Sequence, residues 1–168
     1  MKETFFFAVQ DRSMIDRIPR FLLLLLVSWV VMTTMHEGGH WIGRILCGGV
    51  LQSADLSPWR LPFSFFDPDP FPLVTFWSGP IPGVLIPWFT APIVRKEWMW
   101  LIAHFCLLAN GLYLATGWYS GDPQLDTTRL LRAGTDPITL FVYCLLTIGM
   151  GYRGFRRECI RWFGDTCL

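Results

Sequence analysis

The sequence predicts an all-α polytopic membrane protein, with about four transmembrane helices and a short membrane-associated strand or hairpin between the first two. Three observations carry this. Hydrophobic residues fill 52% of the 168 positions and charged residues only 16%, against roughly 25% charged in soluble domains. Four segments, near residues 20–47, 72–94, 98–118 and 136–152, are apolar over about the 20 residues that a helix needs to cross a bilayer core. Lys and Arg are also shared unevenly between the connections. We therefore expect a single integral membrane domain over 1–168, with an interfacial tail at 1–19, a core at 20–135, and a last span with a basic tail at 136–168.

In chain order, Phe5, Phe6 and Phe7 followed by alternating acids and bases fit a segment lying flat at the interface. Arg12, Arg17 and Arg20 before the leucine-rich run at 21–31 imitate a secretory signal. No small-x-small cleavage pattern follows, so the run reads as an uncleaved anchor. Residues 50–56 form a candidate strand, and Trp59, Phe63, Phe65 and Phe66 suit either an aromatic belt or a membrane-dipping hairpin. In the second segment Pro80, Pro82, Pro87 and Pro92 each remove a backbone donor. That predicts a kinked or broken, packed stretch lining a site rather than a lipid-facing rod.

Of the 14 basic residues, ten fall in the N-terminal tail (Lys2, Arg12, Arg17, Arg20), the second connection (Arg95, Lys96) and the C-terminal tail (Arg153, Arg156, Arg157, Arg161). Four (Arg44, Arg60, Arg129, Arg132) remain for the other side, which predicts cytoplasmic termini. The net charge of +1 carries no basic stripe, so nucleic acid is not an expected partner. Cys47, Cys106, Cys144, Cys159 and Cys167 include no C-x-x-C pair, and Cys167 is penultimate where prenylation needs the fourth position from the end. Neither a disulfide framework nor a prenyl anchor is expected.

The chemistry resides in His36-Glu37-Gly38-Gly39-His40, inside the first apolar run. Positions four apart share a helix face, so His36 and His40 can aim ring nitrogens at one tetrahedral metal ion with Glu37 beside it. Ordinary residue abundances make H-E-x-x-H an accident in less than about 1% of chains this long. Ionisable residues inside a span are costly, about 2.5 to 3.5 kcal/mol for a central charge, and mark function by default. At 1.5 Å per residue His36 lies roughly 22 Å and His40 about 28 Å along the helix from Phe21, so water must reach them through a protein-lined cavity. The small size of Gly38 and Gly39 suits close approach by a substrate or by a neighbouring span. His104 reads as an interhelical hydrogen-bonding residue before it reads as a ligand.

The run from His36 to Val50, H-E-G-G-H-W-I-G-R-I-L-C-G-G-V, resembles the site-2 protease family of intramembrane zinc metalloproteases, whose H-E-x-G-H helix runs into a Gly-containing turn and a strand. Ser78-Gly79-Pro80 is similar to that family's entry to the next span, and Leu125-Asp126-Thr127-Thr128-Arg129 to its L-D-G-G-R segment, whose aspartate is the third zinc ligand. The resemblance covers roughly residues 20–135. It implies one Zn2+ held by His36, His40 and Asp126; by its residues alone the Gly121-Asp122-Pro123 turn either presents Asp122 as the alternate third ligand or merely starts the loop. The resemblance further implies Glu37 as the catalytic base, and a transmembrane or membrane-proximal peptide substrate held extended by a strand at 50–56. Thr127 and Thr128 stand where the family has a glycine pair, and the family's substrate-holding asparagine falls on Trp118. Asn110 is the candidate for that positioning role, a capping or interhelical hydrogen bond being the equal alternative. Family members keep the site nearer the cytosolic face, whereas the basic-residue count puts it on the opposite side here. The expected function is intramembrane metalloproteolysis; the alternatives are an inactive membrane relative acting in binding or regulation, and a zinc hydrolase of lipids. Oligomeric state is left open.

Overall fold

The computed structural model describes the backbone of residues 2–55, 57 and 63–164, with side chains from residue 17 onward. Trp59, expected at the interface, Arg60, counted on the far side, and Cys167 lie outside the described residues, as do the side chains of Phe5, Phe6 and Phe7.

The chain is mostly helical: α1 (Lys2–Leu46), β1 (Leu51–Asp55), β2 (Phe63–Phe66), α2 (Pro72–Trp77), α3 (Pro80–Val94), α4 (Glu97–Ser120), α5 (Asp126–Arg132) and α6 (Pro137–Phe163). Among the described residues three helical stretches, Arg17–Leu46, Glu97–Ser120 and Pro137–Phe163, are long and apolar enough to cross a membrane. Leu22, Leu23 and Leu26 on α1 and Phe141, Leu145 and Leu146 on α6 are exposed, an apolar surface too broad for an ordinary soluble monomer and consistent with a membrane protein.

The expected span at 72–94 is not one helix. The chain breaks at Ser78 and Gly79, leaving six residues in α2 and 15 in α3, about 22 Å for the longer piece and short of a bilayer core. Pro80 cannot donate to a preceding carbonyl, so α2 closes with Ser78 N–H on Val74 O and α3 starts afresh with Gly83 N–H on Gly79 O. The first and last spans run longer than expected: the backbone of α1 is helical from Lys2, and α6 continues through the basic stretch after 152. The expected strand lies within 50–56, and it pairs antiparallel with β2, Ala54 opposite Ser64.

α4 is the central helix, with α1, α3 and α6 packed on it. Gly111, Gly151 and Gly154 line its seam with α6, where an added Cβ would meet Thr147, the Leu108 backbone and the His104 ring respectively. Phe21 packs tilted against Trp162 and edge-on against Phe163, and Arg17 donates to Trp162 O, so the start of the apolar part of α1 meets the end of α6. These contacts gather Arg17, Arg20, Arg95, Lys96 and the basic residues of 153–161 towards one end, and leave His36 and His40 towards the other.

The seam yields a stability test. Gly151→Val should destabilise the protein by about 1–3 kcal/mol through overpacking against the Leu108 backbone. Gly149→Ala, which meets nothing within 4 Å, should stay within about 0.5 kcal/mol of wild type. Thermal unfolding in detergent reads both.

Candidate metal centre

α1 supplies two histidines one turn apart, and α5 supplies a carboxylate at its first residue. His36 Nε2 lies 2.8 Å and His40 Nε2 3.2 Å from Asp126 Oδ2, and the two Nε2 atoms are 3.2 Å apart. All three residues are buried, and together they form a group that could hold a metal ion. Bonds of about 2.0–2.1 Å in a tetrahedral site place ligand atoms roughly 3.3 Å from one another, close to these separations.

Tautomers sharpen the point. His40 Nδ1 is 2.7 Å from the Thr75 carbonyl oxygen, which can only accept, so Nδ1 carries the proton. In the neutral ring the lone pair then sits on Nε2, facing the Asp126 carboxylate and the His36 nitrogen. Three donor atoms converge on one point, where a cation would relieve the facing lone pairs. His36 Nδ1 faces the Asn110 side-chain amide at 3.3 Å, and Asn110 Oδ1 is buried without a partner. Turning the amide gives Oδ1 the Nδ1–H of His36, which fixes the same tautomer and frees His36 Nε2 for metal. Burial alone would raise the Asp126 carboxyl, but the positive charge of His40 and His36 when protonated, whose place a bound cation would take, holds it well below the usual carboxylate range. The third donor is thus an ionised oxygen.

Why the chain folds this way follows from small residues at the break. An added Cβ at Gly39 would run into the Ser78 carbonyl, one at Gly43 into the Ser78 side chain, and one at Gly79 into the His40 ring. Close packing therefore accounts for Gly39, whereas Gly38 faces open space. On the other side Thr127 Oγ1 donates to Leu114 O at 2.6 Å and packs over Gly117, which docks α5 on α4 and sets Asp126 in place. Thr127 thus has a fastening role at a position where the resembling family has glycine.

The remaining candidates separate cleanly. Glu37 is buried beside the cluster and lines a cavity of about 560 Å³, together with His40, Asp126, Tyr113 and the hairpin residues Ser53 and Phe65. Asp122, the alternate ligand, is exposed; its Oδ1 accepts from Gln124 N–H at 2.8 Å, so it shapes the turn and stands apart from the metal group. His104 is also outside that group, enclosed by the Trp88 and Trp100 rings. Asn110 contacts His36 directly, as an interhelical hydrogen bond would require.

Sequence reasoning missed Arg44, which had entered only as a charge in a topology count. It lies four residues after His40 on the same face, is buried, and donates to Ser64 O at 2.8 Å and Ser64 Oγ at 3.1 Å, fastening β2 over the site. The signal was available: an arginine at that spacing inside an apolar run demands a partner. Tyr113, whose ring sits edge-on to His36, shares a face with Asn110 three residues earlier. The Thr75 carbonyl had no signal, being a backbone atom.

Comparison with models of known families, with characterised proteins and with solved structures finds no match to this chain.

Elemental analysis of detergent-purified protein should find about one divalent transition metal ion per chain in wild type and in Asp122→Ala, and none in His36→Ala or Asp126→Ala. Equal loss in Asp122→Ala would break the assignment. Asn110→Ala should keep the site but weaken metal affinity by about 10- to 100-fold in a chelator competition.

Proposed function

We propose that the protein is an intramembrane zinc metalloprotease that hydrolyses a peptide bond in or near a transmembrane segment of a membrane protein. The observation that carries the reading is the convergence of two lone-pair-bearing Nε2 atoms and an ionised carboxylate oxygen beside Glu37, on the wall of a cavity, within helices apolar enough for a bilayer. Two imidazoles and a carboxylate are donors suited to zinc and leave a fourth position open. The short segments that resemble site-2 proteases, His36 to Val50 and Leu125 to Arg129, include all three donors and Glu37, and so support the same reading.

When bound, zinc supplies Lewis acidity that polarises a carbonyl and makes water a usable nucleophile near neutral pH. Glu37 takes the proton from the attacking water and passes it to the leaving amine. Thr75 and Asn110 hold the two imidazoles in the tautomer that keeps Nε2 bare. The β1–β2 pair borders the cavity, and β1 has no second strand partner among the described residues. Its free edge offers hydrogen bonds to an extended chain, which favours a peptide over a lipid ester. The gathering of basic residues at one end supports cytoplasmic termini, with the metal centre towards the opposite face.

The test is a Glu37→Gln variant in liposomes with synthetic Leu/Ala-rich transmembrane peptides that carry a central helix-breaking Asn-Pro pair. It should retain metal while peptide cleavage, read by mass spectrometry, falls by about 10²- to 10⁴-fold. A variant that cleaves like wild type, or a metal-loaded wild type that cleaves none of the peptides, would favour the membrane-binding alternative.

A further inference from the structure

One cationic group on the cavity wall is left without a counter-charge. Within the site Asp126 serves the two histidines and Asp69 serves Arg44. Arg129 lines the same cavity as Glu37, His40 and Asp126, is half-buried, and rests its guanidinium 5.9 Å from the centre of the Phe76 ring. Among the described residues no carboxylate pairs with it. Holding an arginine partly out of water with only a ring for company is costly unless a ligand repays it. Gln124, whose backbone N–H is bound to Asp122, also lines the cavity and can offer side-chain N–H donors alongside.

We infer that Arg129, helped by Gln124, binds an acidic side chain of the substrate peptide and so sets where the chain is placed against Glu37 and the metal centre. This rests on the proteolytic reading for its substrate class. Arg129 stands three residues, about one helical turn, beyond Asp126, so its anion lies close to the reacting bond. An extended chain advances about 3.3 Å per residue, which puts the acidic residue within roughly three positions of the cleaved bond. Ser53, Phe63, Ser64 and Phe65 of the hairpin form the facing wall, where an extended peptide finds both backbone and apolar partners. A lipid headgroup at the same arginine would occupy the space that the reacting peptide needs. Guanidinium and carboxylate match in a two-pronged geometry that a lysine cannot reproduce, so the identity of the residue matters as well as its charge.

The experiment measures binding apart from cleavage. Fluorescein-labelled Leu/Ala peptides, with a single Glu or Gln placed in turn at each of six central positions, are titrated into metal-loaded Glu37→Gln protein and followed by anisotropy. At one position the Glu peptide should bind at least about tenfold tighter than its Gln counterpart. Adding Arg129→Gln should bring the pair within about twofold, while Arg129→Lys, which keeps the charge, should retain part of the discrimination. Metal content of each variant shows that the site is intact. Equal binding of Glu and Gln peptides in the parent, unchanged discrimination in Arg129→Gln, or no binding of any peptide would overturn the inference. So would an Arg129→Gln variant altered only in its affinity for nanodiscs of anionic phosphatidylglycerol. Cleavage of the same peptides by wild type is scored separately: discrimination without cleavage keeps the recognition and removes the protease, and cleavage without discrimination does the reverse.

Discussion

The hydrogen bond from His40 Nδ1 to the Thr75 carbonyl is the contact on which the centre depends, and it exists because a helix stops. In an unbroken helix through residues 72–94 that carbonyl would accept from the amide four residues on. Pro80 and the Ser78-Gly79 step end α2 instead, and the carbonyls after Val74 are left to find other partners. Thr75 O takes the Ser78 hydroxyl and the His40 ring N–H, while the Thr75 hydroxyl donates to Asp69 at 2.6 Å. A break that costs backbone hydrogen bonds therefore fixes a tautomer. The tautomer decides that Nε2 has a lone pair to give.

Arg44 extends the same logic to the hairpin. Besides its bonds to Ser64, its guanidinium lies 4.8 Å from the Phe66 ring centre and 5.4 Å from that of Phe76, with Asp69 at 3.9 Å. The histidine-bearing face of α1 thus holds β2 directly, and β1 through it, so the two-stranded pair need not be stable alone. One helix face, read at positions 36, 40 and 44, sets both the metal donors and the wall opposite them.

The parts legible in the sequence were those that rest on local spacing. His36 and His40 share a face by helix geometry alone, and the apolar runs that became α4 and α6 announce themselves by length. The prolines foretold an irregular second segment, kinked or broken, and left open which, since length and hydropathy cannot tell a kink from a break; the division into α2 and α3 is the break. Asp126 against Asp122 was not decidable from the chain because both sit in one short connection. What separates them is the docking of α5 through Thr127 and Gly117, a tertiary contact. Arg44 was visible within the first expected span, but it was only counted among the charges of the far side, since the charge pattern alone shows no partner for it.

Charge balance links these elements. Among the described residues the cavity wall carries two acids, Glu37 and Asp126, and two arginines, Arg44 and Arg129, which balance before any ion binds. A divalent cation then leaves an excess of two positive charges in surroundings that screen poorly, where charges attract far more strongly than in water. On the proposed reading, a site so loaded would favour a deprotonated nucleophile and would stabilise negative charge developing on a carbonyl oxygen, both of which would relieve the excess. Asp69 offsets part of it at Arg44, so the remainder falls on the Arg129 side of the cavity. An anionic group arriving there completes the balance that the chain leaves open. This is why the unpaired arginine and the metal donors are best understood as parts of one electrostatic design.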